Sequence, residues 1–199
     1  MTPYCSGHES AAIREQKGGK TMDPQEDVRL ARMQRIDLDP EHSLTVTKVA
    51  YATAAEIFDV LRNPTLHIDF DPKQMIVSVD PSSADPVSAV GDKFTMNMFS
   101  ERMGGDYRMV NHVTRYEPNI ALGWKPATEG YPPLGFRWTW TLRPRDVEST
   151  LVSLTYDWLD VTHEGFLTKN TFPIFSADSF HESVDALVEF VEDDWGDED

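Results

Sequence analysis

The side chains best suited to proton transfer or metal binding near neutral pH are six histidines: His8, His42, His67, His112, His163 and His181. None of them stands in a metal-protease spacing, and neither a nucleophile elbow nor a phosphate-binding loop occurs in the chain. The run His67-Ile-Asp69-Phe-Asp71 would align three metal-binding side chains if it were extended. A proline follows it directly, so we interpret it as a solvated helix-and-turn segment. The sequence therefore predicts no catalytic residue, no metal and no cofactor.

A weaker set of candidates for proton transfer comes from aromatic and imidazole groups on the predicted strands. Tyr107, Tyr156 and His112 are the strand residues that could donate or accept a proton beside a bound substrate. His112 follows Asn111 directly, and neighbouring strand residues face opposite sides of a sheet. We therefore expect His112 at the surface or hydrogen-bonded there. The turn GGDY (104–107) is not a phosphate cradle, because no helix follows it.

The elements that must position these residues begin with a strand and two short helices. Residues 43–52 alternate in a β-branched pattern typical of a strand. Thr53 and Glu56 have the spacing of a capping box, so a helix is predicted over 53–63. Pro64 ends that helix, and residues 65–70 can form one more short helix.

Six further strands and one long helix complete the predicted fold. The strands are predicted at 74–80, 93–99, 107–117, 120–126, 136–144 and 150–160. A final amphipathic helix has Ser176 or Asp178 as its N-cap and an apolar stripe from Phe180 to Val191. An antiparallel sheet needs a cover on its inner face, and only this helix is long and apolar enough. We predict an α+β fold, a curved seven-stranded antiparallel sheet around the C-terminal helix.

Strand alternation predicts which side chains line the space between sheet and helix. Tryptophan and methionine dominate one face of the strands, with Ile120 and Leu122 placed beside Trp124, and Asn111 and Tyr156 are the polar candidates among them. A ligand site of this kind is mainly apolar with a few placed polar groups. The predicted ligand-binding residues are Phe94, Met96, Met98, Tyr107, Met109, Asn111, Trp124, Trp138, Trp140, Tyr156, Phe180 and Val184. The alternative is that these residues are simply core.

The order of these motifs resembles the START-like (SRPBCC) superfamily, and most closely its polyketide cyclase/dehydrase and lipid transport branch. The resemblance rests on ATAAEIFDVLRNPTLHIDFDP, VGDKFTMNM, NHVTRYEPNIALGWKPA, FRWTWTLRP and TYDWLD, which lie between Ser43 and Asp194. It implies a helix-grip fold with a deep apolar cavity, but no single reaction, because the superfamily includes carriers, cyclases and chaperone activators. Binding or transport of a small hydrophobic or aromatic ligand is thus the expected function. A cyclase/dehydratase-type enzyme and an interaction module of the chaperone-activator kind are the alternatives.

Charge and length limit the partners. The 199 residues carry 18 basic and 34 acidic side chains, a net charge of −16, and nine of the acids lie in residues 182–199. This excess disfavours nucleic acid and anionic membranes as partners, and no apolar run approaches the roughly 20 residues of a membrane span. The first residues lack the apolar stretch of a secretory signal, so we expect a cytoplasmic protein, with monomer and dimer both open.

The predicted domain organisation is one domain with tails. Residues 1–40 are interpreted as an N-terminal tail or weakly docked arm, residues 41–195 as the domain, and residues 196–199 as an acidic tail. Met22 is an alternative start for the chain. Cys5, the only cysteine, allows neither an internal disulfide nor a cysteine metal cluster.

Overall fold

One antiparallel sheet of eight strands forms the framework of the computed structural model, which describes residues 35–39 and 42–194. Its strands lie in the spatial order β1-β2-β8-β7-β6-β5-β4-β3. Their bounds are β1 Arg35–Asp39, β2 Ser43–Ala50, β3 Ile76–Val79, β4 Lys93–Ser100, β5 Gly105–Glu117, β6 Ala121–Thr128, β7 Arg137–Pro144 and β8 Thr150–Asp157. The α-helices are α1 Ala54–Leu61, α2 Glu164–Leu167 and α3 Ala177–Asp194, and short 3₁₀ helices span Pro64–Ile68, Pro81–Ser83 and Glu101–Met103.

The predicted α+β architecture is confirmed, and all seven predicted strands are present. The structure has an eighth strand, β1, which was not predicted and pairs with β2 at the edge of the sheet. It lies inside the segment predicted as a tail or arm. The rest of that segment up to residue 34, with Cys5 and Met22, lies outside the described residues, as does the acidic tail 196–199.

The two main helices begin where the capping residues predict. At the start of α1, Thr53 and Glu56 form the predicted capping box, since each side chain accepts a hydrogen bond from the other residue's backbone N–H. For α3, the Ser176 hydroxyl accepts from the backbone N–H of Ser179 at 3.3 Å. Ser176, rather than Asp178, is therefore the N-cap.

Helix α3 covers the concave face of the sheet. It packs against β2 and β8, and its predicted apolar stripe is at most 2% exposed: Phe180, Val184, Leu187, Val188 and Val191. An ion pair between Lys48 on β2 and Asp185 holds one flank of the helix. The core thus lies between this helix, α1 and the inner face of the strands.

The side chain of Ile120 does not follow the predicted alternation of inward and outward strand residues. Ile120, grouped by parity with Leu122 and Trp124, is 50% exposed, so its predicted inward orientation is wrong. It belongs to the turn before β6, where Asn119 has a positive φ of 59° and the backbone N–H of Ile120 bonds the carbonyl of Glu117. Turn geometry, and not the two-residue period of a strand, decides its direction.

Candidate functional site

A cavity of about 150 Å³, open to solvent, lies between the inner face of the sheet and helix α3. Its walls come from three directions. The sheet contributes Trp124, Trp138, Trp140 and Leu154, the chain from the 3₁₀ helix to β3 contributes His67, Phe70, Asp71, Pro72 and Ile76, and α3 contributes Ser183. The cavity is therefore mainly aromatic, with three polar side chains at its wall.

Strand register brings the three tryptophans together. Trp124 on β6 lies directly opposite Trp138 on β7, and Trp140 lies opposite Leu154 on β8. Cross-strand partners share one face of the sheet. The two-residue spacing between Trp138 and Trp140 keeps both indoles on that face. The sequence pattern predicts the shared face of the three tryptophans correctly.

His67 is buried at the cavity wall, so the expectation of a solvated segment is wrong for this residue. Its side chain is 5% exposed, and Nε2 lies 2.7 Å from the backbone carbonyl oxygen of Leu61, the last residue of α1. A carbonyl oxygen only accepts, so Nε2 carries the hydrogen and donates it. The imidazole thereby satisfies one of the carbonyl groups that a helix C-terminus leaves without a partner.

The surroundings of His67 keep the ring neutral. Its ring centre lies 5.1 Å from that of Phe70, 5.7 Å from that of Phe94 and 5.8 Å from that of Trp124. Burial lowers its pKa from 6.5 to about 4, outweighing the opposite influence of the hydrogen bond to Leu61. At neutral pH the cavity wall therefore presents an uncharged imidazole.

The other polar side chains at the cavity, those of Asp71 and Ser183, form hydrogen bonds with backbone groups of nearby residues. The Asp71 carboxylate accepts hydrogen bonds from the backbone N–H groups of Lys73, Met75 and Ile76 at 3.1, 2.7 and 2.8 Å. The Ser183 hydroxyl donates to the carbonyl of Ser179 at 3.0 Å. The hydrogen bonds of Asp71 thus fix the conformation of the loop at the rim of the cavity. The hydrogen bond of Ser183 stays within helix α3.

The predicted polar pair lies elsewhere. Asn111 is 4% exposed and Tyr156 is fully buried, but neither is among the described residues that line the cavity. The Tyr156 hydroxyl is sealed in the protein without a hydrogen-bond partner in the described part of the chain. Burial raises the pKa of this phenol, so it stays protonated.

The other predicted ligand-binding residues surround the tryptophans at different depths. Trp124, Trp138 and Trp140 line the cavity. Phe94 and Phe180 lie behind them, with ring centres 5.4 Å from Trp124 and 5.1 Å from Trp138 respectively. Met96 and Val184 are buried, whereas Met98, Tyr107 and Met109 are half-buried towards the β3–β5 end of the sheet. That these residues bind a ligand stays a prediction.

His112 lies on the sheet face opposite Asn111, as strand alternation predicts. It is half-buried and directly opposite Lys93 on β4 and Lys125 on β6. Burial, and then the charge of Lys93, lower its pKa. Within the described ranges, no group of three or more His, Cys, Asp or Glu side chains could hold a metal ion, and no helix there is long and apolar enough to cross a membrane.

A second depression, of about 220 Å³, lies in the loop before β4 and is lined mainly by serine, aspartate and proline. Of its two acidic residues, Asp85 and Asp92, the second is already engaged, because the Asp92 carboxylate accepts from the backbone N–H groups of Ser88 and Ala89 and from the Ser88 hydroxyl. These bonds lower the pKa of Asp92. The aromatic cavity is accordingly the stronger candidate for a ligand site.

Solved structures of bacterial proteins share this fold. Protein Ms6760 from Mycobacterium smegmatis matches with a TM-score of 0.58 at 15% sequence identity, over 80% of this chain and 96% of that one. Protein CV1439 from Chromobacterium violaceum matches with a TM-score of 0.55 at 16% identity, over 76% and 98% of the two chains. A Rhodobacter sphaeroides protein gives 0.57 at 14% identity, over 80% and 98%.

These similarities establish the fold and not the activity, because fold alone does not determine chemistry. No family model and no curated protein matches the sequence. An antiparallel sheet that grips its C-terminal helix is what this chain has in common with those structures.

Proposed function

We propose that the protein binds a small, mainly apolar aromatic molecule in the cavity between the sheet and α3. The observation that carries this proposal is an open cavity of about 150 Å³ lined by Trp124, Trp138 and Trp140. A volume of roughly this size is large enough for benzene, whereas drug-sized ligands need about 300 Å³ or more. A ligand with one aromatic ring therefore fits this cavity best.

Two further considerations support binding as the function. The motif order that resembles the START-like superfamily, in its polyketide cyclase/dehydrase and lipid transport branch, implies a cavity at this position in the fold. Trp124 and Trp138 at this cavity are only half-buried, so apolar indole surface is left available for contact with a ligand. We therefore propose a START-like cytoplasmic binding protein, with the tryptophans as its apolar contact surface.

The cavity favours binding over catalysis of the cyclase type. General acid–base catalysis works best when the pKa of the group lies near the working pH, and burial lowers the pKa of His67 to about 4. Asp71 and Ser183 are engaged in backbone hydrogen bonds. These polar groups suit recognition of a ligand better than proton transfer.

The cavity also favours binding over an interaction module. A module that works through its acidic helix face needs no internal space, and its core is expected to be filled. The open cavity beside Ser183 of α3 is a space that such a module does not need, and it supports the proposal of small-molecule binding.

Titration with toluene tests the proposal. We expect toluene to raise the melting temperature, by about 2.7 kcal/mol of stabilisation at one hundred times its Kd. Its binding should shift the indole N–H resonances of Trp124, Trp138 and Trp140 among the five tryptophan signals. The absence of both effects at saturating toluene would refute the proposal.

A cavity-filling variant locates the binding. Ser183→Leu inserts a larger apolar side chain from α3 into the cavity and should abolish the response to toluene. Glu189→Leu adds the same side chain on the exposed face of the same helix and should retain the response. Equal loss in the two variants would place toluene elsewhere.

A further inference from the structure

Among the polar groups of the cavity wall, His67 alone combines packing against aromatic rings with a ring nitrogen that forms no hydrogen bond in the described part of the chain. Asp71 accepts three backbone hydrogen bonds within its own loop, and Ser183 donates to its own helix. In the described part of the chain, His67 uses only one ring nitrogen, through the 2.7 Å bond from Nε2 to Leu61. Because that bond fixes the hydrogen on Nε2, Nδ1 is left as an acceptor with a lone pair.

The rings around His67 set the character of the remaining space. Phe70 and Phe94 have no hydrogen-bonding group, and they lie with Trp124 within 6 Å of the imidazole, centre to centre. Phe70 and Trp124 also line the cavity, so a ligand beside His67 meets aromatic carbon there. In such surroundings an unmatched polar group on the ligand is costly, and a matched one contributes more than in water.

We propose that the cavity selects neutral, single-ring aromatic molecules that carry one O–H or N–H donor, as in a phenol or an aniline, and that Nδ1 of His67 accepts that hydrogen bond. This inference rests on the proposed function and names the ligand class of the same site. His67 is a specificity-determining residue in this arrangement, while the tryptophans contribute apolar contact area.

Charge at the cavity argues for a neutral ligand. The described residues that line it include one carboxylate, Asp71, and neither lysine nor arginine. An anionic ring such as benzoate would thus lose its water without gaining a cation, and it cannot donate to Nδ1. Burial, which lowers the pKa of His67 to about 4, keeps its acceptor available at neutral pH.

Comparison of phenol with toluene tests the assignment, because the two rings have nearly the same size and differ in the donor. The ratio of the toluene Kd to the phenol Kd is measured in the wild-type protein and in His67→Phe. The cost of removing phenol from water is the same for both proteins and cancels. We expect the ratio to fall by about tenfold in the variant, the range expected for losing one buried acceptor.

A measurement on the wild-type protein covers the case in which His67→Phe does not fold. Phenol should shift the Nδ1 nitrogen resonance of His67 in the direction of an accepted hydrogen bond, and toluene should not. If toluene binds, but the ratio is unchanged and Nδ1 does not respond to phenol, the role of His67 is overturned and the proposed function stands. If neither ring binds, both are overturned.

Discussion

Two aromatic clusters in this protein each surround one titratable side chain, but they differ in the space and the hydrogen bonds that they give it. The His67 cluster consists of His67, Phe70, Phe94 and Trp124. The Tyr156 cluster consists of Tyr156, Phe136, Trp138, Trp158, Phe172, Phe175 and Phe180. Both are built on the inner face of the same sheet and close to α3.

The difference lies in space and in hydrogen bonding. His67 donates to Leu61 and borders a cavity of about 150 Å³. Tyr156 is fully enclosed, with ring centres of Trp138 and Phe180 at 4.9 and 5.4 Å, and its hydroxyl has no partner among the described residues. Aromatic content alone therefore does not make a ligand site. The His67 cluster differs in bordering an open cavity with a polar group that is held in place and keeps an acceptor, and on this difference the proposed ligand site rests.

The largest expected difference between the two clusters is in how their contribution to the free energy of unfolding changes in acid. The folded protein resists protonation of His67 until its pKa of about 4, whereas the unfolded chain takes up that proton below 6.5. Stability should therefore fall as the pH drops through 6.5, and the loss should be complete below about 4, reaching roughly 3 kcal/mol. The charged residue that lines the cavity together with His67 is Asp71, and the rings packed around His67 are uncharged.

His67→Gln is the matched variant for this prediction, because its amide can donate to Leu61 and does not titrate. Chemical denaturation of both proteins between pH 7.5 and 4 measures their difference in free energy of unfolding. That difference should shift by roughly 3 kcal/mol in favour of the variant towards low pH. Parallel pH profiles would show that His67 is accessible to protons in the folded state.

Removing the hydroxyl from the Tyr156 cluster should have a smaller effect on stability. Most core substitutions lower stability, but this one should raise it. Tyr156→Phe keeps the ring contacts and deletes a sealed oxygen that has no partner, so we expect stability to increase by about 1 kcal/mol. Burial raises the pKa of Tyr156, and the gain should therefore be the same at acidic and neutral pH.

Tyr116→Phe is the control for this substitution. Tyr116 is half-buried and packs edge-on against Phe58 with ring centres 5.4 Å apart. Its hydroxyl is not sealed, so the free energy of unfolding should change little. A stability loss of about 1 kcal/mol in Tyr156→Phe would reveal a hydrogen-bond partner for Tyr156 and remove the contrast between the clusters.

The elements that local rules define could be predicted from the sequence. Thr53 and Glu56 form a capping box through residues three positions apart, and strand alternation places Trp124, Trp138 and Trp140 on one face. Both signals depend on neighbours in the chain or in the adjacent strand. They are sufficient for the fold and for the aromatic wall of the cavity.

The polar part of the site could not be predicted in this way. His67 lies between exposed residues Thr65 and Ile68, and its burial depends on a 3₁₀ turn that brings the imidazole back to Leu61. The one available signal is a histidine shortly after a helix end, where carbonyl groups need donors. Strand parity places Tyr156 correctly inward, but Phe172 and Phe175, from the irregular segment before α3, fill the space beside it.

The smallest effect concerns the rim of the cavity, where an ion pair between Lys73 and Glu182 joins the Asp71 loop to α3. Both side chains are 47% exposed, so Lys73→Gln should lower stability by at most about 0.5 kcal/mol. High salt, about 1 M, should abolish the difference because it screens exposed charges beyond roughly 3 Å. Denaturation of Lys73→Gln, Glu182→Gln and the double variant at low and high salt measures the coupling. A coupling that persists at high salt would mean that the rim is held by packing, and the loop would then belong to the rigid wall of the His67 cluster.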